Sequence, residues 1–135
     1  MLKSYKDLIV WQKSYDLCLQ VYKSTHTFSK EEKYGLVIQM RRSAVSIPSN
    51  IAEGYGKKTI PDYVRSLYLA NGSACELETQ ILLSGDLGYI ENKELEILNN
   101  KINEVGRMLK SLIKSLEKKH LTTRILESLS ADRQT

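Results

Sequence analysis

Two adjacent arginines, Arg41 and Arg42, are the first residues here whose type and spacing suggest chemistry. Paired guanidinium groups suit phosphate contacts. They suit an internal ion pair equally well. If the turn that follows is centred near Lys57, Arg41 lies opposite about Ser73, within a turn of Glu76. A pair from Arg41 or Arg42 to Glu76 or Glu78 is therefore the favoured expectation. A second basic feature is the run Arg107, Lys110, Lys114 and Lys118, which falls near one face of a helix. Residues 101–120 hold six Lys or Arg against two Glu, a net of +4, the whole formal charge of the chain. The plain reading is a solvated face favoured by the helix C-terminal dipole. The alternative is a surface for an anionic polymer. Lys57 and Lys58 make a third basic spot at a turn. Asn50 and Glu53 precede that turn and are expected to fix a helix end or a contact between subunits.

Other constellations fail on spacing. Gly54-Tyr55-Gly56-Lys57-Lys58-Thr59 lacks the G-x-x-x-x-G-K interval and follows a helix, so it is no phosphate loop. A di-iron bundle needs two Glu-x-x-His pairs, and only Glu117 with His120 matches. Ser111 and Lys114 fit S-x-x-K by letter but have no partner motif. We expect no catalytic residue, no cofactor, no metal site and no small-molecule substrate.

The elements that position these residues are helical. Val37, Met40, Ala44, Ile47 and Ile51 recur at alternating intervals of three and four. A second row, Tyr34, Ile38, Arg41, Val45, Pro48 and Ala52, runs beside it. Pro48 cannot donate to the Ala44 carbonyl, but the apolar register passes through it. The expectation is a helix that kinks and continues to about Gly54, with Ser46 or Ser49 serving a freed carbonyl. Leu8, Trp11, Tyr15, Cys18 and Tyr22 predict a first helix capped by Asp7. Ser29 and Glu32 form a capping box for the second. Thr59, Pro61 and Asp62 start the third. Within it, Gly72 costs ~1 kcal/mol against alanine, which suggests close approach of a neighbouring backbone. Asn92 caps a fourth helix running to about Lys119. No stretch alternates with period two, so no sheet is expected. The fold class is all-α: an antiparallel up-down four-helix bundle with a Pro-kinked second helix. Residues 1–120 form the bundle, and 121–135 a partly disordered tail.

At 135 residues, 41% of them hydrophobic, the chain suffices for one domain with a real core. Charges interrupt every apolar run, so neither a membrane span nor a signal peptide is legible. Two cysteines far apart argue against a disulfide framework. A cytoplasmic location is the expectation.

With these helices laid out, the chain resembles the bacterial four-helix bundle proteins encoded in intervening sequences of 23S rRNA genes. It is similar also to the related accessory proteins of diversity-generating retroelements. The resemblance covers about residues 5–117. It is carried by Leu8 to Lys13, Gln39 to Gly54, Gly72-Ser73, Glu76 to Thr79, Leu87-Gly88-Tyr89 and Gly106 to Leu109. It implies a ring-like homo-oligomer, a pentamer, with a role near rRNA or other structured nucleic acid. For the accessory relatives it implies contact with a reverse transcriptase. A non-enzymatic protein-interaction scaffold is the alternative. The chain departs from the pattern at Lys57, where arginine is frequent, and from His120 onward.

Overall fold

A computed structural model describes residues 2–33 and 35–134. After a 3-10 turn at Tyr5–Asp7 come α1 (Ile9–Thr25), α2 (Lys30–Lys33), α3 (Leu36–Tyr55), α4 (Ile60–Asp86) and α5 (Asn92–Gln134). Every element among the described residues is helical. The four long helices touch in a closed cycle, α1 to α3, α3 to α4, α4 to α5 and α5 to α1. Between α3 and α4, Ser46 meets Ser73, Ser43 meets Glu76 and Gly54 meets Ser66, so numbering rises on one helix as it falls on the other. The shared interior holds Leu17, Met40, Ile47, Ile51, Leu67, Leu77, Ile81, Leu98 and Leu109, all fully buried.

Helix starts follow their chemistry with several adjustments. Thr59 Oγ1 accepts from the Asp62 amide at 3.3 Å and caps α4. Asp7 does not cap α1. Its carboxylate accepts from the Lys3 and Ser4 amides and closes the preceding 3-10 turn. The expected second helix is two elements. Gly35 (φ −113°, ψ −102°) leaves helical geometry, and α3 starts at Leu36. The Glu32 carboxylate, assigned to a capping box, accepts instead from the Tyr89 hydroxyl at 2.8 Å. Tyr34 lies outside the described residues. Asn92 is the first residue inside α5 and not its cap.

α3 runs without interruption through Pro48, which is buried. The expected rescue of the Ala44 carbonyl is displaced by one residue. Ser49 Oγ donates to Val45 O at 2.8 Å, and Asn50 Nδ2 to Ser46 O at 2.8 Å. Side chains thus reinforce the two carbonyls after the unpaired one.

The buried face of α1 is a correction. Val10, Ser14, Leu17, Val21 and Ser24 point inward, while Tyr15 and Tyr22 of the expected core row remain 49% and 42% exposed. Leu8, Trp11 and Cys18 of the expected row pack partly buried against the edge of the core. Close helix packing instead selects the row containing small Ser14 and Ser24. Gly72 is a second correction, because a Cβ there meets nothing within 4 Å. Without that contact its cost is uncompensated. Gly72→Ala is expected to stabilise by about 0.5–1 kcal/mol, read as a raised thermal midpoint.

Past Leu116 the expected tail is the uninterrupted end of α5. Its side chains at 121–133 are all exposed.

Candidate functional site

Arg41 leaves the α4 side altogether. Its Nε donates to Thr25 Oγ1 at 3.0 Å and its Nη2 to the Tyr22 carbonyl at 3.3 Å, with the guanidinium 4.5 Å above the Tyr22 ring. It thus satisfies the C-terminal end of α1, where orphan carbonyls favour a cation. The expected pairing with Glu76 or Glu78 is not formed by either arginine among the described residues. Glu76 Oε2 instead accepts from Ser43 Oγ at 3.3 Å. Arg42 is exposed and borders a groove of about 750 Å³ between α3 and α4, lined also by Ser46, Ser73 and Gln80. The reason is the face of α3. The three inter-helix pairs centre the hairpin at Thr59 and Ile60, not Lys57, and set Arg41 level with Glu78. Ser43 and Ser46 are the residues that face α4, and Arg41, two residues from Ser43 and so about 200° round the helix, faces α1.

Asn50 fixes neither a helix end nor, within the chain, a second element. It bonds back to Ser46, whose Oγ accepts from Asn50 at 3.0 Å and from Ser73 Oγ at 2.8 Å. Asn50→Ala should cost about 1 kcal/mol. A melting point unchanged within 1–2 °C (about half the shift expected) would show that water replaces the amide. Glu53 does sit at the helix end, where it pairs with Lys57 at 3.6 Å. Both are well exposed, so the pair contributes little. Gly54 is buried where α3 leaves the bundle, against Tyr63 and Ser66 of α4.

The cations of α5 divide by side. Toward α1, Lys101 pairs with Asp16, and Glu104 pairs with Lys13 at 3.2 Å. On the outer side, Arg107, Lys110, Lys114 and Lys118 are exposed, and among the described residues none has an ion-pair partner. Arg107 and Lys110 border a recess of about 230 Å³ beside Glu78 and Cys75 of α4. Tyr68 donates to Glu117 at 3.1 Å, placing the start of α4 beside the later turns of α5. Lys57 and Lys58 lie just ahead of α4.

A feature missed in the sequence is the surface between α1 and α3. Trp11 stacks on Tyr15 at 5.1 Å and meets Tyr5 edge-on at 5.3 Å. Tyr22, Ile38, Arg41, Arg42 and Val45 line a shallow groove of about 410 Å³ on the same side. The signal was present: both helices carry two apolar rows, and one interior has room for one row from each.

Perturbed titrations do not mark a reaction centre. Burial raises the Cys18 thiol and, with Tyr55 nearby, the Tyr63 hydroxyl. Hydrogen bonds to Glu117 and Glu32 raise Tyr68 and Tyr89. Each shift holds the neutral, less nucleophilic form. No three His, Cys, Asp or Glu side chains among the described residues are grouped to hold a metal. No helix among them is long and apolar enough to cross a membrane.

These features define a class: an all-helical bundle protein whose distinctive surfaces are a basic strip and an aromatic face. Within that class, the chain belongs to the 23S rRNA-intervening sequence protein family, whose pattern matches residues 6–111. A crystal structure from Bacteroides thetaiotaomicron VPI-5482, described as a protein of unknown function from the S23 ribosomal protein family, is similar at TM-score 0.73 and 26% identity. That likeness covers 78% of this chain and 96% of the other. No curated protein matches.

Proposed function

We propose that this protein is a non-enzymatic, homo-oligomeric RNA-binding bundle whose outer α5 strip grips the phosphates of structured RNA, with 23S rRNA as the first candidate because the family is named for its gene. The scaffold is the antiparallel up-down bundle, bent at Pro48. The observation that carries this reading is the division of α5. On the side facing α1, Lys101 is neutralised by Asp16 and the α5 carboxylate of Glu104 is taken by Lys13, whereas Arg107, Lys110, Lys114 and Lys118 are left without acidic partners among the described residues. Four such charges span about 16 Å of helix. Unpaired cations on a rigid element release phosphate counterions without first breaking a salt bridge. Lys58 ahead of α4 is a further cation for the same polymer, and Lys57 is another once it leaves Glu53.

The homo-oligomer, a pentameric ring, rests on the aromatic face. Trp11, Tyr15 and Tyr22 are amphipathic anchors of the kind that dominate interfaces, and Arg42 is free to cross to another subunit. Titration of structured rRNA fragments at increasing salt is the test. Affinity should fall linearly on a double-logarithmic plot with a slope of about −3 for four contacts. Absent affinity, or affinity insensitive to salt, sinks the proposal. Capture of a polypeptide partner that survives nuclease would favour the scaffold reading, for which the same aromatic face is the relevant surface.

A further inference from the structure

We propose that the final turns of α5 form an arm that pairs antiparallel with the same arm of a second copy. Residues beyond 111 lie outside the family match, so this feature belongs to the chain itself. Leu121, Ile125, Leu126 and Leu129 are 60%, 52%, 62% and 52% exposed. At 3.6 residues per turn, Leu121, Ile125 and Leu129 point about half a turn away from the core stripe of Leu98, Ile102, Val105 and Leu109. The arm cannot continue its own bundle's interior, because its apolar side looks outward. About 25 Å of helix standing in water with such a stripe gains from a partner.

The stripe is its own complement when reversed about Ile125. Leu121 then lies opposite Leu129 of the second copy, Ile125 opposite Ile125, and Thr122 opposite Ser128. On the same side of the helix, Lys118 at one end falls opposite Asp132 at the other. A parallel pairing would instead set Lys118 against Lys118. Asp132 already has an interaction within the chain, and a carboxylate accepts several bonds. Self-complementarity of this kind is what a two-fold contact requires. One stripe of this length falls below the ~1,200 Å² of an ordinary stable interface. The pairing is therefore weak between free chains and gains where copies are already assembled. It doubles whatever assembly the bundles make and does not depend on the ring or on RNA; in the doubled form Lys118 is engaged with Asp132 of the second copy, and Arg107, Lys110 and Lys114 remain open to phosphate.

The test uses full-length protein without RNA, with mass read by sedimentation. Lys118→Asp and Asp132→Lys alone should each weaken the doubling step roughly tenfold. An equimolar mixture of the two variants should restore it, since every repulsive pair becomes attractive. With Cys18 and Cys75 replaced by serine, Ile125→Cys should cross-link to its mate on mild oxidation, and Leu121→Cys should not. Three outcomes overturn the proposal: no doubling in the wild type at any concentration, a mixture no better than the single variants, or self-cross-linking of Leu121→Cys as readily as Ile125→Cys. Loss of RNA binding with the doubling intact would remove the proposed function and leave the arm standing.

Discussion

Gly54→Ala is expected to destabilise the protein by about 2–3 kcal/mol. A Cβ on Gly54 comes within 2.8 Å of Ser66 Cβ, 3.0 Å of Tyr63 Cδ1 and 3.2 Å of the Tyr63 carbonyl oxygen. Two of these neighbours cannot yield cheaply. Ser66 is buried on α4, and the carbonyl is helix backbone. Relief requires the ends of α3 and α4 to separate, which loosens the hairpin with the most extensive contact in the molecule. For a chain of this length the thermal midpoint should drop by roughly 6–10 °C. Ser66→Gly in the same chain should recover part of the loss, because it removes the nearest atom. Gly56→Ala is the control, since its Cβ meets only ordinary contacts at 3.5 Å and beyond. Equal melting points for the Gly54 and Gly56 variants would mean that the helices adjust freely there.

Reversing the outer strip of α5 should have the largest effect on binding. With Arg107, Lys110, Lys114 and Lys118 all changed to glutamate, RNA affinity at low salt should fall at least ~100-fold, and the salt slope should flatten by about 3. These side chains are exposed and hold no partner that folding requires, so melting should change little. Lys101→Glu makes the opposite contrast. It sets like charges against Asp16 and weakens the hold on α1, while the strip remains intact. Lys57→Ala should weaken binding less than Lys114→Ala, because Lys57 already spends part of its time on Glu53. Unchanged affinity in the fourfold variant would move the RNA contact elsewhere or end the RNA reading.

Much of the architecture was legible. The Thr59 cap with Pro61 and the inner row of α3 from Val37 to Ile51 are local signals that tertiary contacts did not override. Continuation through Pro48 could be read because the apolar interval did not slip. What was not legible depended on choosing between equivalents. α1 offers two rows, and the one with small Ser14 and Ser24 packs between α3 and α5, while the aromatic row lies at the edge of the core with Tyr15 and Tyr22 exposed. The arginine assignment failed on the face of α3: Arg41 is level with Glu78, but Ser43 is the residue turned to α4 while Arg41 is turned to α1. Small size at Gly72 implied contact where there is open space, while the close approach fell at Gly54. The end of α5 carries no glycine or proline after Gly106, so nothing local stops the helix. Its polar composition had suggested disorder.

The inward row of α1 also dictates how the molecule comes apart. Only Val10, Leu17 and Val21 among its aliphatic side chains are buried, against six or more hydrophobic side chains in each of α3 and α4. At about 1.5–3 kcal/mol per large aliphatic side chain, α1 is anchored least by dry packing. It relies more on the Asp16 and Lys13 ion pairs, both partly open to solvent. Mobile ions weaken such pairs and leave hydrocarbon contacts intact. Screening removes at most about 1 kcal/mol per pair, so rising ionic strength should loosen α1 modestly, and more than the other three long helices, without detaching it. Deuterium uptake should quicken first along Ile9–Thr25, at salt concentrations where the protein as a whole remains folded.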